Sequence, residues 1–250
     1  MITSPRNARV AAARKLRRPR VRRETRRTLI EGPFLLEEAR SAGIIVDEVF
    51  ALAGDAETAA SCHREGWQLH EVAPDVMAAL ASSVNPRGPV AVAAIPDSPQ
   101  IECRDSVVLW GVADPGNAGT IIRTAGAFGF QVIATAGSVD LWSPKVVSAG
   151  VGGHFRANPV EGMAADLVVL QAAGLRPLVA TSAGVTRVDD AVRGEEPVAL
   201  VVGNEAHGVP EEVIGAPGVE TFMIPMPGGT ESLNAAVAAS ISMYLRIAGR

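Results

Sequence analysis

Five short apolar runs, at residues 107–112, 131–136, 178–182, 198–203 and 221–224, constrain this chain more than any other feature. Each is strand-length, and the first two flank a segment, 120–128, whose Ile121, Ala125 and Phe128 share one helical face. Strand, helix and strand in that order make a βαβ unit, and such units joined side by side build a parallel sheet covered by helices. Residues 143–156 read as a further helix and glycine turn, and a closing helix is expected to run to about Ala248. In sheets of this kind ligands bind outside the carboxyl ends of the strands, so the loops after these runs are where chemistry is expected.

Upstream lies a smaller α/β unit. Residues 28–40 give a short strand, a Gly32-Pro33 turn and a helix that starts at the proline. Residues 44–52 form the next strand, 71–84 a strand end and short helix, 85–89 a turn and 90–95 a last strand. Pro96-Asp-Ser-Pro-Gln100 is the linker candidate, polar and stiffened by two prolines. The net charge of −4 hides an asymmetry. Residues 1–27 carry a net +10 and the remainder −14, so 1–27 read as a basic, partly helical arm. An acidic body with a basic arm points to a polyanion met through the arm, a solvated tail without a partner being the plain alternative. No apolar run reaches the roughly 18–20 residues of a membrane span, and the basic N-terminus has no apolar stretch behind it as a signal peptide would. With only Cys62 and Cys103, reduced thiols and a cytoplasmic location are expected. Cys62, His63 and His70 do not make a zinc spacing, and neither a dinucleotide fingerprint nor a Walker loop is present.

Three stretches carry chemistry. In Asp114-Pro-Gly-Asn-Ala-Gly-Thr-Ile-Ile-Arg123, Asn117 is placed in a loop and Arg123 on the helix face opposite the packing residues. In Leu200-Val-Val-Gly-Asn-Glu-Ala-His-Gly208, a strand ends by bringing backbone amides and the Glu205 carboxylate to the sheet edge. His207 reads as a solvent-facing loop histidine. In Ile224-Pro-Met-Pro-Gly-Gly-Thr-Glu-Ser-Leu-Asn234, two prolines break the strand and two glycines allow close backbone approach. Thr230 or Ser232 can cap the helix that follows, whose Leu233, Val237, Ile241 and Leu245 repeat every four residues. Each stretch alone is also what an ordinary strand, turn and helix cap would look like.

Together and in this order, the three resemble the motifs of the SpoU (TrmH-like) family of RNA ribose methyltransferases. Leu29-Ile-Glu-Gly-Pro33 with Glu37-Glu-Ala39 and Pro86-Arg-Gly88 resembles the substrate-binding domain, similar to ribosomal protein L30e, that many of these enzymes carry. The resemblance implies a basic arm at 1–27, an L30e-like domain at 28–96, a linker at 97–104 and a catalytic α/β domain with a trefoil knot at 105–250. It implies catalytic roles for Arg123 at the ribose 2′-hydroxyl, with Asn117, Glu205, Ser232 and Asn234. It implies S-adenosylmethionine held around Gly203, Ile224 and Leu233, with Thr181, Met226 and Asn204 nearby, and no metal. RNA contacts are expected from Arg17, Arg18, Arg20, Arg22, Arg23 and Arg87. A homodimer, a cytoplasmic enzyme and methylation of 23S ribosomal RNA are what the family pattern implies, with transfer RNA as the alternative substrate. A non-catalytic ribosome-assembly factor and a base methylase are the rival classes. Ala206-His207 departs from the Gly-Glu-Gly of many relatives, which bears on loop detail. His154 and Arg156 belong to a patterned segment without assigned roles.

Overall fold

The computed structural model describes residues 1–83, 86, 88–97, 100–164 and 167–249. In chain order the first part contains α1 (Ala8–Lys15), α2 (Pro19–Thr25), β1 (Arg27–Glu31), α3 (Pro33–Ser41), β2 (Val46–Leu52), α4 (Ala56–Glu65), β3 (Gln68–Val72), α5 (Pro74–Leu80) and β4 (Val90–Ala94). There follow β5 (Ser106–Trp110), α6 (Pro115–Phe128), β6 (Gln131–Thr135), α7 (Pro144–Gly150), α8 (His154–Ala157), β7 (Val160–Met163), α9 (Val168–Ala172) and β8 (Arg176–Ala180). The chain ends with β9 (Thr186–Arg187), α10 (Val188–Ala191), β10 (Val198–Gly203), α11 (Glu211–Ile214), β11 (Glu220–Met223) and α12 (Ala235–Ala248). Two compact units result, one of residues 1–97 with 142–155, the other of 98–141 with 156–250.

The first unit is built on a four-stranded sheet ordered β1-β4-β2-β3, antiparallel except for the parallel β2/β3 pair. Successive side chains of a strand point to opposite faces, and the two cores divide accordingly. Leu29, Phe50, Val90 and Val92 face α1 and α5, which supply Val10, Ala13, Val76, Met77 and Leu80. Ile30, Val49, Ala91 and Ala93 face the other way, against Leu35, Leu36 and Ala39 of α3 and Cys62 of α4. The helix α4 has no counterpart in the sequence reading, although its ends are marked. The Asp55 side chain caps it by accepting the Thr58 N–H, and Gly66 closes it at φ +73°.

Two expectations are corrected here. The segment 1–27 is not an arm: α1 sinks Val10, Ala13 and Leu16 into the core while its arginines radiate outward. Residues 142–155, expected within the catalytic half, group with the first unit. Their Trp142 and Val147 fill the second core, with Phe155 packed against it, and the Trp142 carbonyl accepts the Thr28 hydroxyl at 2.7 Å. Apolar burial, not position in the chain, decides the grouping. Part of the expected linker, Ser98 and Pro99, lies outside the described residues.

The second unit is a seven-stranded sheet ordered β7-β6-β5-β10-β8-β11-β9, parallel at every pairing. Its central strands are fully buried, as strands covered on both faces must be. At the amino edge of this sheet Arg246 of α12 is 1% exposed and forks onto Asp105, with Nε to Oδ2 at 2.8 Å and Nη2 to Oδ1 at 3.1 Å. The same guanidinium donates to the carbonyls of Val192, Gly194 and Glu196. Among the described residues no helix is long and apolar enough to cross a membrane, and no group of three or more His, Cys, Asp or Glu could hold a metal.

Candidate active site

The carboxyl ends of β5, β10, β8 and β11 lie side by side, because these four strands are adjacent and parallel. The register pairs Val201 with Val179 and Phe222 with Ala180, which brings Gly203, Thr181 and Ile224 to the same edge. From that edge two helices depart together. Asp114 caps α6, its carboxylate accepting the Asn117 N–H at 2.8 Å, with Pro115 in the first turn. Asn234 caps α12, its side-chain oxygen accepting the N–H groups of Ala236 and Val237 at 2.9 and 3.2 Å. Asn117 therefore stands in the first turn of α6, not in a loop, and the α12 cap is Asn234, not Thr230 or Ser232. Leu233 precedes the helix.

One chain of side chains ties the three loops. The Glu205 carboxylate accepts the backbone N–H groups of Ala113 and Asp114 at 3.2 and 3.3 Å and the Asn117 amide at 2.8 Å. Asn117 Oδ1 in turn accepts the Asn234 amide at 2.9 Å. Burial pushes the Glu205 carboxyl up. The hydrogen bonds from Asn117, from its own backbone and from Ala113 and Asp114 outweigh that, and hold it below the ordinary carboxylate range. A carboxylate at a helix N-terminus is favoured by the helix dipole as well. Glu205 is thus a latch whose oxygens are occupied.

Asn204 is likewise spoken for. Its Nδ2 donates to the Gly111 carbonyl at 2.8 Å, and its Oδ1 accepts the N–H groups of Ala206 and His207. Its backbone pairs both ways with Gly208. Asn204, expected near the cofactor, has its side chain committed to shaping the turn. Gly203 must be glycine, since a Cβ there would stand 2.4 Å from the Gly208 carbonyl carbon.

What remains open at the edge suits a small amphipathic ligand. Ile224, Met226, Leu233, Thr181 and Gly203 are half-buried. Across residues 224–233 one backbone–backbone hydrogen bond forms among the described residues, from the Gly229 N–H to the Met226 carbonyl. The rest of that run keeps amides and carbonyls available beside apolar side chains, the mix that small-molecule sites use. Ser232 is exposed at the loop's end, and so is Arg123 on α6. Neither side chain makes a hydrogen bond among the described residues. Arg123 lies six positions beyond Asn117, about 9 Å along the helix at 1.5 Å per residue.

Residues 105–244 match the SpoU rRNA Methylase family, and residues 7–91 match an MRM3-like substrate-binding domain. The chain belongs to the SpoU rRNA methylase family. It is 31% identical to the 23S rRNA (guanosine(2553)-2′-O)-methyltransferase RlmP of Bacillus subtilis, over 97% of each chain. An AdoMet-bound rRNA methyltransferase from Sinorhizobium meliloti superposes with a TM-score of 0.86 at 30% identity, covering 98% of this chain and 96% of that one. The SpoU methyltransferase AviRb from Streptomyces viridochromogenes, also solved with AdoMet, gives 0.85 at 26% identity over 97% and 98%.

Within this SpoU member the basic residues of the first unit divide. Arg22 is 2% exposed and donates to the Leu16 carbonyl at 2.6 Å, so it is withdrawn as an RNA contact. Arg17 donates to the carbonyls of Leu80 and Ala81 at the end of α5, and Arg20 pairs with Glu24 at 2.6 Å. Arg18 and Arg23 are exposed, and Arg87 lies outside the described residues. Sequence reading passed over Asp114, although Asp-Pro before an apolar-periodic segment is a helix-start signal.

Proposed function

We propose that this SpoU-family chain methylates a ribose 2′-hydroxyl of 23S ribosomal RNA, with S-adenosylmethionine as donor. The observation that carries the reading is the Glu205–Asn117–Asn234 chain, which fixes the three family loops around one half-buried, backbone-rich edge. Gly203, Thr181, Ile224, Met226 and Leu233 would hold the donor there. Bound in that place it would supply an electrophilic methyl group. Ser232 and Asn234, at the mouth of α12, would flank the transferred methyl. Holding donor and acceptor in line contributes up to about 7–11 kcal/mol without any covalent intermediate. Arg123 presents a planar fork of N–H donors, so its part is to contact the 2′-oxygen and a neighbouring phosphate and to stabilise developing negative charge.

Ribosomal RNA is favoured over transfer RNA by a relative that matches both units and is named for 23S rRNA. The exposed Arg18 and Arg23, with Arg17 and Arg20, engage phosphates from the first unit. The cytoplasm is the proposed working compartment. The enzyme works as a homodimer through α12, whose Val237, Tyr244 and Ile247 are 46%, 59% and 40% exposed. The chain beyond about residue 175 is threaded as a trefoil knot.

Labelled S-adenosylmethionine supplied with 23S and transfer RNA, followed by mapping of alkali-resistant positions, tests the reading. Label in an alkali-resistant 23S linkage is expected. Label confined to transfer RNA or to bases would reject it. Arg123→Ala is expected to abolish transfer while donor affinity, measured by calorimetry, stays within about twofold. Equal loss of both would remove Arg123 from the reaction.

A further inference from the structure

The turn from β1 into α3 holds an aromatic ring out in water. In the first turn of α3, Leu35 and Leu36 sink into the core, while Phe34 beside them is 56% exposed. Of the chain's Phe, Tyr and Trp rings only Phe34 and Tyr244 are exposed. Tyr244 has the Phe128 ring 6.3 Å away, whereas Phe34 makes no ring contact among the described residues.

The backbone that carries this ring is pinned on both sides. The Gly32 N–H donates to the Pro89 carbonyl at 2.8 Å, and Gly88 passes so close that a Cβ there would stand 2.9 Å from Pro33 Cδ. Just upstream, the Glu31 carboxylate accepts the Ser82 N–H and hydroxyl, both at 2.8 Å, and the Ser83 hydroxyl. Pro33 fixes its own φ at the first helical position. A ring mounted on so constrained a turn loses little freedom when it meets a ligand.

The surroundings decide which ligand that is. The other exposed positions of α3 are Pro33, Glu37, Arg40 and Ser41, so the ring is not part of a contiguous apolar patch of the kind that docks a protein. The Glu37 charge is answered by Arg40, with Nε and Nη2 at 2.8 and 2.6 Å from its oxygens. The loop that Glu31 grips leads to cations: the carbonyl of Ala81, next to Ser82, accepts Arg17 Nη2 at 2.6 Å, and Arg18 follows, exposed. A lone aromatic face in a corner that also holds guanidinium groups suits a nucleobase with its phosphate. Bases inside a duplex are already stacked on their neighbours, so the free face must come from an unpaired one.

We infer that Phe34 is a stacking platform for one unpaired base of the substrate RNA, an inference that rests on RNA being the substrate, as proposed above. Every base has a π face, so the platform contributes affinity and register on the strand without choosing the base. Phe34 touches no reacting atom; it is a binding residue of the first unit.

Binding by the full chain tests this without turnover. Phe34→Ala is expected to bind a 23S rRNA transcript about 5- to 150-fold more weakly, with the salt dependence of affinity and the thermal midpoint unchanged. Phe34→Leu, apolar but without a ring, should be as weak as Phe34→Ala. Phe34→Trp should bind as wild type does, its added fluorescence quenched by a mixed-sequence single strand and not by a blunt duplex of the same sequence. Wild-type affinity in Phe34→Ala or Phe34→Leu, a changed salt dependence, or equal quenching by the duplex would overturn the inference. So would a Phe34→Ala variant that keeps its RNA affinity but falls in mass by light scattering, which would give the ring to a protein contact. A wild-type chain that binds the transcript but places no methyl group on ribose would overturn the proposed function and leave the platform standing.

Discussion

Glu205 and Arg246 hold their charges inside the second unit by different means, and each makes a separate prediction. Glu205 is partly exposed, and its hydrogen bonds lower its pKa against the effect of burial. Because its folded pKa lies below the unfolded value, its contribution is fully present above the ordinary carboxylate range. It is lost as pH falls through the lowered folded value. Glu205→Gln should therefore lower the urea midpoint at pH 7, and the gap to wild type should close in strong acid. A gap independent of pH would mean the latch does not depend on charge. Arg246 and Asp105 are almost wholly buried, at 1% and 6% exposure. Removing one partner leaves the other charged and unpaired, so Asp105→Asn should cost about 3–5 kcal/mol in chemical denaturation. Neither pairing was legible in the sequence: Asp105 and Arg246 stand 141 residues apart, and no local pattern announces such a bond. The identities of Asn117, Glu205 and Asn234 were legible as motif positions, but not that they touch one another.

At the scale of single elements, α12 shows where periodicity misleads. The four-residue repeat of Leu233, Val237, Ile241 and Leu245 suggests a buried stripe, yet the buried face is Ala236, Ala239, Ser242, Met243 and Arg246. Small residues let α12 lie close beside α6, where Thr124 and Ser240 hydroxyls meet at 3.2 Å and the Phe128 and Tyr244 rings lie tilted by 47° with centroids 6.3 Å apart. Val237, Tyr244 and Ile247 are left outward. Such a patch on a helix marks an interface, and here the proposed occupant is a second copy of the chain. Tyr244→Arg should shift the protein from dimer to monomer in light scattering while its far-ultraviolet circular dichroism is retained. An unchanged mass would move the interface elsewhere. Strand positions were easier to read, because continuous apolar runs bounded by turn residues leave little choice. The helix α1 was harder, since its apolar side chains are mostly alanine and it sits in a stretch dominated by arginine.

For the whole molecule, the division of the chain into units follows the cores and not the order of residues. A boundary near residue 97 was readable from the proline-rich segment that follows β4. The return of residues 142–155 to the first unit was not, because Trp142 and Val147 look like any apolar residues until their partners are known. Those partners are Ile30 of the first sheet and Leu35, Leu36 and Ala39 of α3, which packs on the same face. A fragment of residues 1–97 would leave that face open to water, and burial of a large apolar side chain contributes roughly 1.5–3 kcal/mol. With Trp142 and Val147 both missing, a unit of this size would lose much of its margin, since small domains hold only about 5–15 kcal/mol in total. Residues 1–97 alone should therefore melt without a cooperative transition and bind the dye ANS. The same fragment joined by a glycine-serine linker to residues 142–155 should recover a sharp melt and lose the dye. A cooperative melt from 1–97 alone would show that the first core is complete without the returning segment, and the RNA-binding role proposed for this unit could then be tested in isolation.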